Sequence, residues 1–389
     1  MSKPFMFEKP LGMRDTLPHL YEAKQQVRTK VVQEMEGWGY QLLETPTLEY
    51  YETIGAASAI LDQQLFKLLD QQGHTLVLRP DMTAPIARVA ASRLYKDGNP
   101  LRLAYSASVF RAQQREGGRP AEFEQLGVEC VGDASISADA EVIALMVSIL
   151  KRAGLSNFKV AIGHIGFVNQ LFLEIVGNEE RANQLRRFLY EKNYVGYREH
   201  VKELPLSSID KQRLLTLLQL RGDEDVIEAA RSIVDNGEGK KAVEAVANLW
   251  KQLEAFDVSQ YVKIDFNLVS HMSYYTGILF EVYGENVGLV LGNGGRYDDL
   301  LEKFKRPAPA TGFAIYFNRL LEALGDQVSI SDRECVIYSN EQRVEAIKFA
   351  SELRERGSRV VLQNITGVED VDAFVKQFGN VTYFIGGGR

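Results

Sequence analysis

Residues 102–132 read RLAYSASVFRAQQREGGRPAEFEQLGVECVG. RLAYSASVFR and EFEQLGVECVG read as a pair of strands, and AQQREGGRPA between them as a long polar loop. Side chains alternate across a strand, so Phe123, Gln125, Gly127 and Glu129 share one face. That face carries an amide and a carboxylate.

Working outward, LFKLLD (65–70) and HTLVLRP (74–80) flank Gln71-Gln72-Gly73, the pattern of a β-hairpin. Further upstream, Val27, Val31, Val32 and Met35 recur at intervals of three and four and predict a helix over 19–36, which Gly37 and Gly39 end. LLETPTLEY (42–50) is extended. Pro46 cannot donate to a sheet ladder and marks an edge, bulge or kink there. Downstream, a helix from Asp139 shows Val142, Leu145, Met146, Ile149 and Leu150 on one apolar face. From about 167 to 260 strand patterns vanish in favour of helical periodicity, as in ANQLRRFLYEKN and GKKAVEAVANLWKQLEAF, which reads as a helical insertion. Strands resume at YVKIDF (261–266). The glycines of LGNGGRYDDL (291–300) predict close backbone approach in a strand-to-helix turn before a helix that contains Asn318, Arg319 and Leu320. After a linker-like stretch over 325–332 come CVIYS, EQRVEAIKFASELRERG, RVVLQ, VEDVDAFVKQFG and VTYFIG, which alternate strand and helix as a small α/β module over 333–389.

The bulk numbers fit an ordinary globular chain of 389 residues, with 45% hydrophobic and 25% charged residues. No apolar run approaches the roughly 20 residues that cross a bilayer, and MSKPFMFEKPLGMRD lacks the apolar segment of a signal peptide. A reducing cytoplasm is therefore the expected setting. Cys130 and Cys335 give no disulfide framework and are expected to be buried apolar side chains. His19, His74, His164, His200 and His271 lack zinc-ligand spacing, so no metal is expected. A net charge of −7 speaks against a broad nucleic-acid surface.

Several segments together resemble the histidyl branch of the class II aminoacyl-tRNA synthetases, over about residues 5–320. LGMRDTLP (11–18) is similar to the opening segment of that family, and ETPTLE to its motif 1, whose proline lies in a dimer interface. LRPDMTAPIAR (78–88) resembles the run that holds a ligand's α-amino group, which implies that role for Asp81 and Thr83. VFRAQQREGGRPAEFEQLGVE (109–129) resembles motif 2: Phe110, Arg111, Arg119, Phe123, Gln125, Gly127 and Glu129 match, and Gln125 and Glu129 are implied to contact the amino acid. SHMSYYTG (270–277) keeps the second half of the histidyl signature, with Tyr275 implied to lie against an imidazole. Tyr274 belongs to the same run, and Tyr297 matches a tyrosine near that pocket. GFAIYFNRL (312–320) resembles motif 3, with Arg319 in the place of an ATP-stacking arginine.

The departures gather on the nucleotide side. Ser270 stands where the family has its catalytic arginine, Gln113 where it has an adenine-contacting glutamate followed by a basic residue (here Gln114), Tyr316 where it has glycine and Asn318 where it has glutamate. A hydroxyl does not replace a fixed cation where charge develops in a transition state. Arg111, Gln113, Ser270 and Arg319 therefore read as relics of a nucleotide site.

The fold implied is α+β: a class II synthetase-like antiparallel sheet core over 1–325, with the helical insertion at about 167–260, plus the C-terminal α/β module. A kept amino-acid pocket beside a dismantled adenylation site is similar to the regulatory subunits of ATP phosphoribosyltransferase, synthetase-like proteins of the first step of histidine biosynthesis. That resemblance implies a non-catalytic chain without a cofactor, a short-form catalytic subunit as partner, L-histidine as effector, and a homodimer within a hetero-oligomer joined near Pro46. An active histidine–tRNA ligase with a divergent site and a free-standing histidine-binding protein are the alternatives.

Overall fold

The computed structural model describes residues 6–55, 57–96, 98–112, 120–234, 237–270, 272–285, 288, 290–325 and 333–386. Two compact units divide the chain, Met1–Gln327 and Val328–Arg389.

The first unit is built on a nine-stranded sheet. Its strands are β1 (Gln41–Leu42), β5 (Leu101–Phe110), β6 (Glu122–Val131), β7 (Phe158–His164), β8 (Arg221–Gly222), β9 (Val262–Asp265), β10 (Ile278–Gly284), β11 (Val290–Arg296) and β12 (Ala310–Tyr316). Their order is β1-β5-β6-β12-β11-β10-β7-β9-β8. Only β1/β5 and β7/β9 are parallel. A small antiparallel sheet holds β2 (Leu48–Tyr50), β3 (Lys67–Leu69) and β4 (Thr75–Leu78) in the order β2-β4-β3. The expected hairpin is β3–β4, and the expected strand pair is β5–β6 with Phe110 opposite Glu122. Pro46 lies exposed between β1 and β2, where the chain passes from one sheet to the other.

Helix α1 (Pro18–Gly37) buries Val27, Val31 and Met35, close to the bounds expected. A short helix α2 (Thr83–Val89) follows β4 and runs into a π-helical turn. The helix expected from Asp139 starts earlier, as α3 (Ile136–Ala153), and its burial is broader than one face. Ile143, Ala144 and Val147 are as hidden as Val142 and Leu145, because α3 packs between the sheet and the helices on either side of it. A helix apolar nearly all round is the signature of that central position.

The expected insertion contains α4 (Ile165–Val176), α5 (Glu179–Tyr190), α6 (Tyr194–Glu203), α7 (Ser208–Leu217), α8 (Val226–Ser232) and α9 (Glu238–Ala255). Strands do not vanish entirely there, since β8 pairs with β9 at the sheet edge. The insertion is also not a separate layer, for α9 packs on both α3 and β7.

The glycines of 291–295 correct another expectation. They lie inside β11 and not in a turn, and β12 intervenes before α10 (Phe317–Leu324). Close approach is still their reason: a Cβ on Gly294 would stand 2.3 Å from the Gly312 carbonyl oxygen and 2.4 Å from the Phe280 ring.

The second unit is a three-stranded parallel sheet, ordered β14 (Val360–Asn364), β13 (Glu334–Tyr338), β15 (Asn380–Phe384). Helix α11 (Arg343–Glu355) buries Ala346 and Ala350 against it. The second helix is shorter than 368–379, as α12 (Val371–Val375). Cys130 and Cys335 are both buried and unpaired by disulfide. The linker-like residues 326–332 lie outside the described residues.

Candidate functional site

Gln125, Gly127 and Glu129 project from β6 to one face of the large sheet, while Leu126, Val128 and Cys130 are fully buried on the other. The packing around Gly312 on β12, directly opposite Glu129, fixes the carboxylate. A Cβ at position 312 would stand 1.9 Å from Glu129 Oε2, so only glycine leaves room for the acid. Asp81 and Thr83 arrive from the bend between β4 and α2. Asp81 accepts from the Ala84 N–H at 3.1 Å and so helps start the helix that carries Thr83. Tyr274 and Tyr275 come from the loop before β10, and Tyr297 from the end of β11.

These seven residues line one recess, together with Arg111, Met272, Asn293, Gly312, Phe313, Ala314 and Tyr316. Out to its mouth it measures about 370 Å³, but only about 20 Å³ admits the centre of a water molecule. As it stands, it has room for about one water and is otherwise filled by its own side chains. The three tyrosines form an aromatic wall, with ring centres 4.9 Å apart for Tyr274–Tyr275 and 5.7 Å for Tyr274–Tyr297.

Polar groups converge on this wall. Thr83 donates its hydroxyl to Glu129 Oε1 at 2.8 Å, and the Tyr297 hydroxyl donates a short bond to Glu129 Oε2. Burial is nonetheless the larger influence, and it pushes the Glu129 carboxyl up to about 8. The two hydrogen bonds oppose the shift, and the neighbouring Asp81 adds to it. Asp81 accepts from Ser58 at 2.5 Å. Gln125 is 3% exposed, and its Oε1 has no partner among the described residues. A buried carbonyl oxygen without a donor is costly and calls for an N–H to complete it.

Behind the recess Arg296 holds the loop in place. It pairs with Asp139 on α3 at 2.9 Å and donates to the carbonyls of Asp133 and Ser135. Its own carbonyl accepts from the Thr276 N–H at 2.9 Å, which ties the Tyr-Tyr-Thr-Gly segment to β11.

Of the residues expected to be relics of a nucleotide site, those among the described residues are engaged elsewhere or set aside. Ser270 is half-buried, accepts from the Met272 N–H at 3.1 Å and does not line the recess. The Arg319 guanidinium lies 4.3 Å from the Tyr316 ring centre and donates to the Val290 carbonyl at 2.5 Å. Arg111 lines the recess and donates to the Pro80 carbonyl. Asn318 accepts from the Glu124 N–H. Gln113, Gln114, Arg119 and His271 lie outside the described residues.

Ser58 and Asn293 escaped the sequence reading. Asn293 carried a signal, as the polar residue among the glycines of β11, whereas Ser58 reaches Asp81 only through tertiary folding. Among the described residues no group of three or more His, Cys, Asp or Glu is arranged to hold a metal ion, and no helix is long and apolar enough to cross a membrane.

Residues 12–320 match the histidyl-tRNA synthetase family, and 335–386 match the family described as "Histidyl-tRNA synthetase HisZ, C-terminal domain". The ATP phosphoribosyltransferase regulatory subunit of Geobacillus thermodenitrificans (strain NG80-2) is 66% identical over 98% of this chain and 97% of its own length. The chain belongs to the family of ATP phosphoribosyltransferase regulatory subunits. The member from Bacillus subtilis (strain 168) is 62% identical over 98% of both chains. A crystal structure of an ATP phosphoribosyltransferase regulatory subunit/histidyl-tRNA synthetase from Bacillus halodurans C superposes with a TM-score of 0.92 at 59% identity, covering 99% of this chain and all of that one. The histidyl-tRNA synthetase of Nostoc sp. PCC 7120 shares the fold, with a TM-score of 0.80 at 19% identity over 96% of this chain and 90% of its own. The class II synthetase-like α+β core expected from the sequence is thus the fold observed.

Proposed function

We propose that this chain is the non-catalytic regulatory subunit of ATP phosphoribosyltransferase, acting with a separate short catalytic subunit and sensing free L-histidine in the recess of the first unit. The observation that carries this reading is the contrast between the two halves of the site. Asp81, Thr83, Gln125, Glu129 and the three tyrosines converge in one recess. On the other side the cation position holds Ser270, and Arg319 is committed to Tyr316.

The chemistry of the recess suits an amino acid. Asp81 supplies a carboxylate for an ammonium, Glu129 an acceptor for an imidazole N–H, and Gln125 Oε1 a free acceptor. The aromatic wall supplies flat contact for the ring. With little free space inside, a ligand has to move side chains of the recess, so occupancy has to be felt at the walls.

The proposed homodimer is supported by the small sheet next to Pro46. Tyr50, Leu76 and Leu68 stand in one cross-strand row, and Leu48, Tyr50 and Leu68 are about half exposed. An apolar sheet face of this kind suits a second copy related by a two-fold axis. The two proposed domains are 1–325, with its helical segment at about 167–260, and 333–389, and a cytoplasmic site of action is part of the same reading.

Calorimetric titration with L-histidine tests the pocket. Asp81→Ala removes a charge-assisted partner, worth about 1.5–3 kcal/mol, or roughly 10–150-fold in affinity, and Glu129→Ala a buried hydrogen-bond partner that is worth about 0.5–1.5 kcal/mol while it keeps its proton. If both variants bind histidine as tightly as the parent, the effector site lies elsewhere.

A further inference from the structure

Arg111, Phe123, Tyr316 and Arg319 form one run of cation–aromatic and aromatic contacts at the recess. The Arg111 guanidinium is 5.3 Å from the Phe123 ring centre, the Phe123 and Tyr316 rings are 6.0 Å apart and tilted by 50°, and the Arg319 guanidinium is 4.3 Å from the Tyr316 ring. The Tyr316 hydroxyl donates to Asn293 Oδ1 at 3.0 Å. One side chain thus uses an aromatic neighbour, a planar cation and an amide acceptor. A flat nitrogenous base would be recognised by that same set: its π-face by the ring and the guanidinium, its exocyclic amine by the amide oxygen.

We propose that Tyr316 is a specificity-determining plug, which fills the place a nucleotide base would take at this recess and so excludes nucleotides from it. The plug is fixed by the fold. Tyr316 ends β12 in register with Gln125 of β6, and α10 begins at the next residue, so its backbone is held on both sides. Arg319 has an anchor besides the ring, its bond to the Val290 carbonyl, and Asn293 sits within β11. Removal of the ring therefore leaves the cation, the Phe123 face and the amide in place around a gap about one ring thick. Exclusion of nucleotides rests on the proposed contrast between the two halves of the site, and its outcome does not depend on histidine binding.

Its test is calorimetric titration of AMP into the full chain, with histidine titrated separately into the same samples. The parent and Tyr316→Phe, which keeps the ring, are expected to show no AMP binding at millimolar ligand. Tyr316→Ala is expected to bind AMP at least about tenfold more tightly than Tyr316→Phe, the worth of about one base-stacking contact, and adding Arg319→Ala should remove that gain. Tyr316→Asn serves in its place if the alanine variant melts below the assay temperature. AMP binding by the parent as tight as by the ring-less variants overturns the plug, as does a folded ring-less variant that ignores AMP. Failure of the parent to bind histidine sinks the effector reading and leaves this result untouched.

Discussion

At the scale of single residues, Glu129 concentrates the physics of the site. Its carboxyl is 1% exposed and pushed up to about 8, from an ordinary 4.5, chiefly by burial. Between those two values the folded chain keeps a proton that the unfolded chain gives up. Stability from this group therefore falls as pH rises from about 4.5 to about 8 and levels off above, since the unfolded state binds fewer protons throughout that window. Glu129→Gln removes the titration and keeps the shape. Denaturant unfolding across that pH range should show the variant gaining on the parent as pH rises, by on the order of a few kcal/mol in all. Parallel curves for the two proteins would mean that Glu129 is already ionised in the folded state.

At the scale of elements, the Tyr-Tyr-Thr-Gly loop depends on Arg296 at the end of β11, whose partners lie on α3 and in the turn before α3. Asp139 is fully buried, and loss of its cation strands a charge in the interior. Arg296→Met should cost roughly 3–5 kcal/mol of stability, the usual cost of breaking one side of a buried ion pair, visible as a large drop in Tm with no change in the parent's cooperativity. A Tm unchanged within a degree or so would show that the loop is held by its backbone alone.

The legibility of the sequence at this scale follows from the range of the interactions. Periodicity and turn chemistry are local, so α1, the β3–β4 hairpin, the β5–β6 pair and the strands of the second unit could be read directly. The strand β7 was not read, because FKVAIGH is short and borders the helical region. The glycines of β11 look like a turn until Gly312 and Phe280 are seen pressing on them. The pocket residues were legible because they lie in motif-bearing segments. Ser58 was not, because its bond to Asp81 spans 23 residues and leaves no local pattern. Arg319 stood out by its motif, but its contact with the Tyr316 ring did not, since the direction of a side chain is set by the fold.

At the scale of the whole molecule, a chain with a furnished recess and no complete chemistry acts only through another protein. On the proposed reading, bound histidine has to favour one conformation or assembly over another. Such coupling is typically about 1–3 kcal/mol and is reciprocal for binding. The side chains that fill the recess and the exposed apolar face next to Pro46 belong to the same unit, and Asp81 bonds to Ser58 in the segment between β2 and β3. The decisive assay takes a short ATP phosphoribosyltransferase from the same genome with and without this chain, across a titration of L-histidine. The short enzyme is expected to gain activity on mixing and to become inhibited by histidine only in the mixture. Equal activity and equal histidine inhibition of the short enzyme alone would contradict this.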